Sequence, residues 1–210
     1  MTIEEYISLH SDDEPDYLAE INRETWVKQI NPRMCSGHFQ GRVLSMFSKM
    51  IQPKNILETG TFTGYSALSF AEGLAADGTL DTIEIDDELE DIILSNIRKS
   101  PFADKIFLHI GDALEIIPTL KKKYDLIFID ADKNYYIDYY EAVLPILNDG
   151  GYILVDNTLW GGKVVEKVDE HDKQTVEIIR FNDMIKADKR VEKVLLPVRD
   201  GLTLMRKLNI

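Results

Sequence analysis

From Asn55 to its end, the chain alternates short apolar runs of strand length with longer segments that have helical spacing. The apolar runs predict strands at 56–58, 79–85, 105–110, 124–129, 151–155, 191–197 and 202–207. The segments between them predict helices at 66–76, 88–99, 114–120, 136–147 and 173–186. Alternation of this kind is typical of a mostly parallel sheet that helices cover on both faces. We therefore expect an α/β fold with a doubly wound, seven-stranded sheet.

The two ends of the chain depart from this alternation. Before it, the segment from Tyr17 to about Ile30 and a second segment leading up to Pro53 have helical spacing. After it, Arg199-Asp200-Gly201 lies between the last two apolar runs, where an Asp-Gly pair is typical of a hairpin. We expect a single domain over 1–210, with an N-terminal helical extension (1–52), a core (53–210) and an antiparallel C-terminal strand.

Composition narrows the classes of partner. A net charge of −13 argues against nucleic acid and anionic membrane surfaces. The longest apolar stretches have the length of strands, so none could span a bilayer. The first residues lack the basic-then-apolar order of a secretory signal, and the single cysteine, Cys35, cannot form an internal disulfide. We expect a cytoplasmic protein that binds neither nucleic acid nor membrane.

Two of the predicted strands end in oxygen-rich runs. Asp130-Ala131-Asp132-Lys133 follows one apolar strand, and Asp156-Asn157 follows the next. Because parallel strands end at one edge of a sheet, these side chains should lie close together. Carboxylate and amide oxygens suit Mg²⁺ or Ca²⁺ rather than zinc. Lys133 beside such a cation is a candidate base, since positive charge and burial both lower the pKa of a lysine.

A glycine turn follows the first strand of the core. Gly60 and Gly64 allow a sharp turn and a close approach to a ligand. Three common patterns do not fit this turn. Phe62 replaces the middle glycine of a dinucleotide fingerprint, Tyr65 replaces the lysine of a phosphate-binding loop, and Leu68 replaces the last glycine of a hydrolase elbow.

Acidic residues follow the next two strands as well. Glu84 and Asp86 lie at the end of the second strand, where a carboxylate can accept hydrogen bonds from ribose hydroxyls. The loop Gly111-Asp112-Ala113 ends the third strand at the same edge. The turn and these acids together predict a site for an adenosine-containing ligand.

In this order, Glu58-x-Gly60, Glu84, Asp130-x-x-Lys133 and Asp156-Asn157 resemble one known family. The chain is similar to class I S-adenosylmethionine-dependent O-methyltransferases of the divalent-cation type, which include catechol O-methyltransferase and the caffeoyl-CoA O-methyltransferases. The similarity runs from about Met34 to the C-terminus. It implies a Rossmann-like fold, S-adenosylmethionine and Mg²⁺ (or Mn²⁺ or Ca²⁺) as cofactors, a small aromatic acceptor and a homodimer.

The resemblance also implies a role for each matched position. Asp130, Asp156 and Asn157 would bind the cation, and Lys133 would act as the general base. Tyr135, Trp160 and Asn182 are candidates for contact with the acceptor. The cofactor would contact Met34, Ser36, Glu58, Gly60, Phe62, Tyr65, Ser66, Glu84, Asp112, Ala113 and Asp130.

These features predict methyl transfer to a hydroxyl of a vicinal dihydroxyphenyl compound. An acidic N-terminal segment favours an acceptor without the phosphates of CoA. The residues alone leave other interpretations open. Lys133 could be a surface lysine paired with a neighbouring aspartate, and Asp156-Asn157 could be a turn or a helix cap. A nicotinamide-dependent oxidoreductase and a non-catalytic cofactor-binding protein remain alternative functions.

Overall fold

The structure is a computed structural model that describes residues 1–169 and 171–209, apart from the side chain of Glu4. Its helices are α1 (Ile3–Leu9), α2 (Asp16–Lys28), α3 (Gly37–Ile51), α4 (Tyr65–Ala71), α5 (Glu90–Arg98), α6 (Ala113–Ile116), α7 (Tyr136–Val143) and α8 (Lys173–Ala187). Its strands are β1 (Asn55–Thr59), β2 (Thr79–Glu84), β3 (Ile106–Ile110), β4 (Tyr124–Ile129), β5 (Leu147–Val155), β6 (Val191–Leu196) and β7 (Leu202–Lys207). Within these ranges, no helix is both long enough and apolar enough to cross a bilayer.

All seven strands form one sheet in the order β3-β2-β1-β4-β5-β7-β6. Strands β1 to β5 pair in parallel, whereas β7 runs antiparallel to both of its neighbours. The Rossmann-like α/β fold and the C-terminal hairpin are therefore confirmed. The chain builds outward from β1 in one direction and from β4 in the other, so the strand order reverses between these two strands. In open sheets, this reversal leaves a crevice at the carboxyl ends of the strands.

Alternate residues of the central strands enter two hydrophobic clusters, one on each face of the sheet. In β1, Ile56 packs into the cluster with α2 to α5, and Leu57 packs into the cluster with α6 to α8. In β5, Leu154 lies on the first face, and Ile153 and Val155 lie on the second. Both faces are buried, as expected for a parallel sheet, and this explains why the strands are continuous apolar runs.

The bounds of several elements differ from those that the sequence predicts, and three of the larger differences are in β5, α7 and α4. Strand β5 begins at Leu147 rather than at residue 151, and its register against β4 shifts near Tyr124. Helix α7 ends at Val143 because Pro145 lacks an amide hydrogen and cannot continue the helix. Helix α4 ends at Ala71, before Gly73, whose backbone approaches α3 so closely that a side chain would not fit. A proline therefore limits α7, whereas close packing against α3 limits α4.

Gly60 brings the ends of β1 and β4 into contact. Its φ is +90°, and a Cβ atom on this residue would lie 2.1 Å from the backbone oxygen of Asp130. The backbone ladder continues into the turns, since Gly60 N donates to Ile83 O and Asp130 N donates to Thr59 O, both at 2.9 Å. Only a residue without a side chain allows this approach.

We predict that Gly60→Ala destabilises the fold more than Gly37→Ala. Gly37 also has a positive φ, +70°, but a Cβ atom there would meet no atom within 4 Å. Gly37→Ala should lower the free energy of unfolding by about 1–2 kcal/mol, which is the cost of the left-handed conformation. Gly60→Ala adds a backbone clash that costs about 1–3 kcal/mol more. Urea denaturation of both variants tests this, and equal losses would contradict the close contact.

Candidate active site

A cavity of about 930 Å³ opens at the carboxyl ends of the central strands. Gly60 after β1, Glu84 at the end of β2, Asp130 after β4 and Asp156 after β5 all line it. The cavity therefore occupies the crevice that the strand order creates. Among the site residues predicted from the sequence, those that line it are Met34, Ser36, Gly60, Phe62, Tyr65, Ser66, Glu84, Ala113, Asp130, Lys133, Asp156, Asn157 and Trp160.

Four predicted site residues, Glu58, Asp112, Tyr135 and Asn182, do not line the cavity. Asp112 is exposed and caps the N-terminus of α6, so its carboxylate faces the helix amides. Asn182 lies on α8 and donates to the backbone oxygen of Thr158 at 2.8 Å, which supports the loop after Asn157. Tyr135 is 47% exposed on the outer surface. Asp112 and Asn182 are engaged in these local hydrogen bonds, and a role in ligand binding for any of the four residues stays a prediction.

Glu84 is fixed by backbone amides from two turns. One carboxylate oxygen accepts from Phe62 N at 2.7 Å, and the other accepts from the amides of Ile85 and Asp86, both at 3.0 Å. The bond to Phe62, whose φ is +51°, ties the glycine turn to the end of β2. A carboxylate that is held in this way beside a cavity can accept hydrogen bonds from ligand hydroxyls without reorganising.

Glu58 lies beneath the glycine turn and is fully buried. One of its oxygens accepts from the Thr82 hydroxyl at 2.5 Å, and the other, Oε1, has no partner among the described residues. Burial raises the pKa of Glu58 to about 8, although the hydrogen bond from the Thr82 hydroxyl opposes this rise. Near neutral pH this carboxyl therefore keeps its proton in the folded protein, whereas the same group in the unfolded chain has lost it.

We predict that Glu58 makes the protein less stable as pH rises from about 4.5, its ordinary pKa, to about 8. In this window the folded state binds one proton that the unfolded chain has released, so each pH unit costs up to about 1.4 kcal/mol. Glu58→Gln removes this titration. Urea denaturation of the ligand-free protein at pH 5 and pH 8 should show a smaller loss of stability in the variant than in the wild type. Parallel losses would mean that Glu58 ionises normally.

Asp156 is 3% exposed and is held by two donors. Gln40 Nε2 donates to its Oδ2 at 2.7 Å, and the amide of Asn157 donates to its Oδ1 at 2.8 Å. Burial, followed by the negative charge of Asp130, raises the pKa of Asp156. The hydroxyl of Tyr136 donates to the backbone oxygen of Asp156 at 3.0 Å and so fixes the end of β5.

Lys133 reaches back to the strand end that precedes it. Its Nζ donates to Asp130 Oδ1 at 2.9 Å and to the Ala131 backbone oxygen at 3.1 Å, and it lies 5.6 Å from the ring centroid of Tyr136. Burial alone lowers the pKa of Lys133, but the Asp130 carboxylate outweighs it, so the pKa lies above its ordinary value. The expected lowering thus depends on a cation that draws the Asp130 charge away from the lysine.

The residues at this edge fit a hard divalent cation. Asp130, Asp156 and Asn157 line the same cavity, and the negative charge of Asp130, which pairs with Lys133, opposes ionisation of the buried Asp156. Asn157 has a φ of +58°, a left-handed turn that asparagine tolerates. Among residues 1–169 and 171–209, no cluster of three His, Cys, Asp or Glu side chains could hold a metal, so the amide of Asn157 would have to complete the set.

Two residues that the sequence did not single out for roles, Gln40 and Arg199, contact the predicted ones. Gln40 is fully buried on α3, where its amide must find hydrogen-bond partners within the protein. Arg199 lies in the β6–β7 turn and lines the cavity. Cys35 also lines the cavity, but burial raises the pKa of its thiol to about 11, so it is not an activated nucleophile.

Comparison with known proteins agrees with this fold. The O-methyltransferase family model matches residues 8–208. A caffeoyl-CoA O-methyltransferase of Eucalyptus gunnii is 36% identical over 94% of this chain and 83% of its own length. The methyltransferase PaMTH1 of Podospora anserina, solved with SAH bound, superposes with a TM-score of 0.90 at 28% identity, over 99% of this chain and 94% of that one. TomG of Streptomyces achromogenes, an O-methyltransferase of tomaymycin synthesis solved with SAM, gives 0.88 at 27% identity and full coverage of both chains.

The chain belongs to the O-methyltransferase family. It is an S-adenosylmethionine-dependent O-methyltransferase, as the resemblance of its motifs implied. Membership of this family favours methyl transfer over a nicotinamide-dependent or non-catalytic role.

Proposed function

We propose that this enzyme methylates one hydroxyl of a vicinal dihydroxyphenyl compound, with a divalent cation at the acceptor oxygens and Lys133 as the general base. One observation carries the proposal. Asp130, Lys133, Asp156 and Asn157 line the same cavity as the glycine turn and Glu84. A cation site, a basic group and a cofactor site thus share one space.

The glycine-turn side of the cavity suits the cofactor. Bound S-adenosylmethionine supplies an electrophilic methyl group on a sulfonium. We assign the ribose to Glu84, whose orientation three amides fix, and the methionine part to the turn around Gly60 and to Ser36. Ala113 lines the cavity without a polar side-chain atom, so we assign it to the adenine as an apolar contact. Relatives solved with SAH or SAM support this half of the proposal.

On the acceptor side of the cavity, residues of the chain would bind the cation and accept the proton of the acceptor. A cation bound by Asp130, Asp156 and Asn157 would lower the energy of a phenolate and chelate two vicinal oxygens. Lys133, held against Asp130, would take the proton of the reacting hydroxyl, whose ordinary pKa is near 10. Alignment of the oxygen with the methyl group by the cavity walls can contribute about 7–11 kcal/mol.

We propose a small free acceptor. Trp160 lines the cavity, and its indole nitrogen is buried without a hydrogen-bond partner among the described residues, so it can donate to an acceptor oxygen. The relatives are named for a CoA ester, but the acidic segment 12–16 of this chain disfavours the phosphates of CoA. A homodimer and a cytoplasmic location remain predictions.

We predict that methylation of caffeic acid requires a divalent cation. With labelled S-adenosylmethionine, turnover should stop in EDTA and return when Mg²⁺ exceeds the chelator, because the cation stabilises the phenolate. Ferulic acid, which has a single free hydroxyl beside a methoxy group, is the control acceptor and should give no comparable turnover. Full activity in EDTA would remove the cation from the proposal.

We predict that Lys133→Ala lowers kcat by about 10²–10⁴-fold, the usual effect of losing a general base. Cofactor affinity, measured by calorimetry with SAH, should stay within about threefold, because Lys133 contacts Asp130 and the acceptor edge. Lys163→Ala is the matched control, since Lys163 is an exposed lysine paired with Asp172. An unchanged kcat in Lys133→Ala would exclude lysine as the base.

A further inference from the structure

Arg199 adopts a backbone conformation that its side chain makes costly. Its φ is +47°, in the turn between β6 and β7, where glycine would be favoured. A left-handed conformation costs a residue with a Cβ atom about 1–2 kcal/mol. Strained residues of this kind persist where other contacts hold them, and they are frequent at functional sites. The contacts of the Arg199 side chain should therefore explain why the strain persists.

The guanidinium of Arg199 donates to four neutral oxygens, of which three are backbone oxygens of segment 33–36 and one belongs to the side chain of Gln40. Nη1 donates to the backbone oxygens of Cys35, at 3.1 Å, and of Ser36, and Nη2 donates to the backbone oxygen of Arg33 at 3.4 Å. The fourth acceptor is Gln40 Oε1, at 3.1 Å. Within the described ranges, no carboxylate forms an ion pair with Arg199.

Gln40 extends this contact to Asp156. Because its Oε1 accepts from Arg199, its Nε2 must point the other way, and there it donates to Asp156 Oδ2 at 2.7 Å. The amide is fully buried and has no solvent to replace either partner. Arg199 therefore selects one of the two orientations of the amide, the one that presents a donor to the carboxylate.

We propose that Arg199 is a positioning residue that acts on both halves of the active site. It ties segment 33–36, which carries Met34 and Ser36 over the cofactor side, to the β6–β7 turn. Through Gln40, it also orients the carboxylate of Asp156 on the acceptor side. The assignment of these two sides rests on the proposed function.

Arg199→Gly is the decisive variant. Glycine removes the guanidinium and also relieves the strain of the positive φ, so loss of binding in this variant would not reflect a misfolded turn. We expect a Tm within about 4 °C of the wild type. The Kd for SAH should rise about tenfold or more, as expected for the loss of charge-assisted hydrogen bonds to the segment. The Kd for Mn²⁺, measured by electron paramagnetic resonance, should also rise about tenfold, the usual cost of losing a partner of a metal ligand.

Gln40→Leu separates the effect of Arg199 on Asp156 from its effect on segment 33–36. It removes the donor to Asp156 but leaves Arg199 bound to the backbone oxygens of Cys35 and Ser36. The Kd for Mn²⁺ should rise about tenfold, whereas the Kd for SAH should stay within about threefold. Arg206→Ala is the matched control, because Arg206 lies on β7 of the same hairpin and pairs with Glu192 at the surface. Its affinities for both probes should equal those of the wild type.

Amide hydrogen exchange tests, without any ligand, whether Arg199 holds segment 33–36 against the β6–β7 turn. The amides of Met34 and Cys35 donate to the oxygens of Asn31 and Pro32, both at 3.1 Å, and they should exchange about tenfold faster in Arg199→Gly than in Arg206→Ala. In Gln40→Leu their exchange should not change.

Added guanidinium chloride should restore part of the SAH affinity of Arg199→Gly, and sodium chloride at the same concentration should not.

The outcomes separate this inference from the function on which it rests. If the wild type binds SAH and Mn²⁺, but Arg199→Gly keeps both affinities within twofold, the inference is wrong. Faster exchange without weaker binding of both probes would make Arg199 a structural tether only, which also overturns it. A wild type that binds no SAH contradicts the proposed function instead, and the exchange comparison then decides whether Arg199 holds the segment.

Discussion

Two carboxylates at the ends of adjacent parallel strands impose the main constraint on this site. The pairing of β4 with β5 brings Asp130 and Asp156 to one edge, where burial and mutual repulsion raise the pKa of Asp156. Such a pair is unfavourable unless donors surround it. Lys133 supplies one donor to Asp130, and Gln40 supplies one to Asp156. The strand order leaves space for ligands beside this pair. The negative charge of the two carboxylates suits the binding of a cation in that space.

The sheet and the location of the site could be predicted because both follow from local patterns. Buried parallel strands are apolar on both faces, so β1 to β5 are recognisable as short continuous runs, and the polar residues that end them mark one edge. Gly60 and Glu84 fall at strand ends and reach the cavity as expected. Asp112 lies at such an end too, but a helix begins there, and its carboxylate caps the helix and does not line the cavity. Position at the edge was predictable, whereas the direction of a side chain was not.

The residues that sequence reasoning missed act over long separations. Gln40 and Arg199 are 159 residues apart in the chain, yet they share one hydrogen bond, and Gln40 is 116 residues from Asp156. No periodicity or motif spacing encodes such a contact, because it depends on how α3 and the β6–β7 turn pack against the sheet. The left-handed φ of Arg199 is likewise invisible in the sequence, where arginine gives no sign of a positive φ. Tertiary packing determines these features.

The backbone contact at Gly60 has a thermodynamic consequence. The glycine turn and the turn that carries Asp130 and Lys133 touch without an intervening side chain, so neither can shift without displacing the other. A ligand that moves or orders one turn therefore acts on the other through this contact. Linkage requires any coupling of this kind to be equal in both directions, so a change in affinity that one ligand causes for the other is matched by the same factor in return.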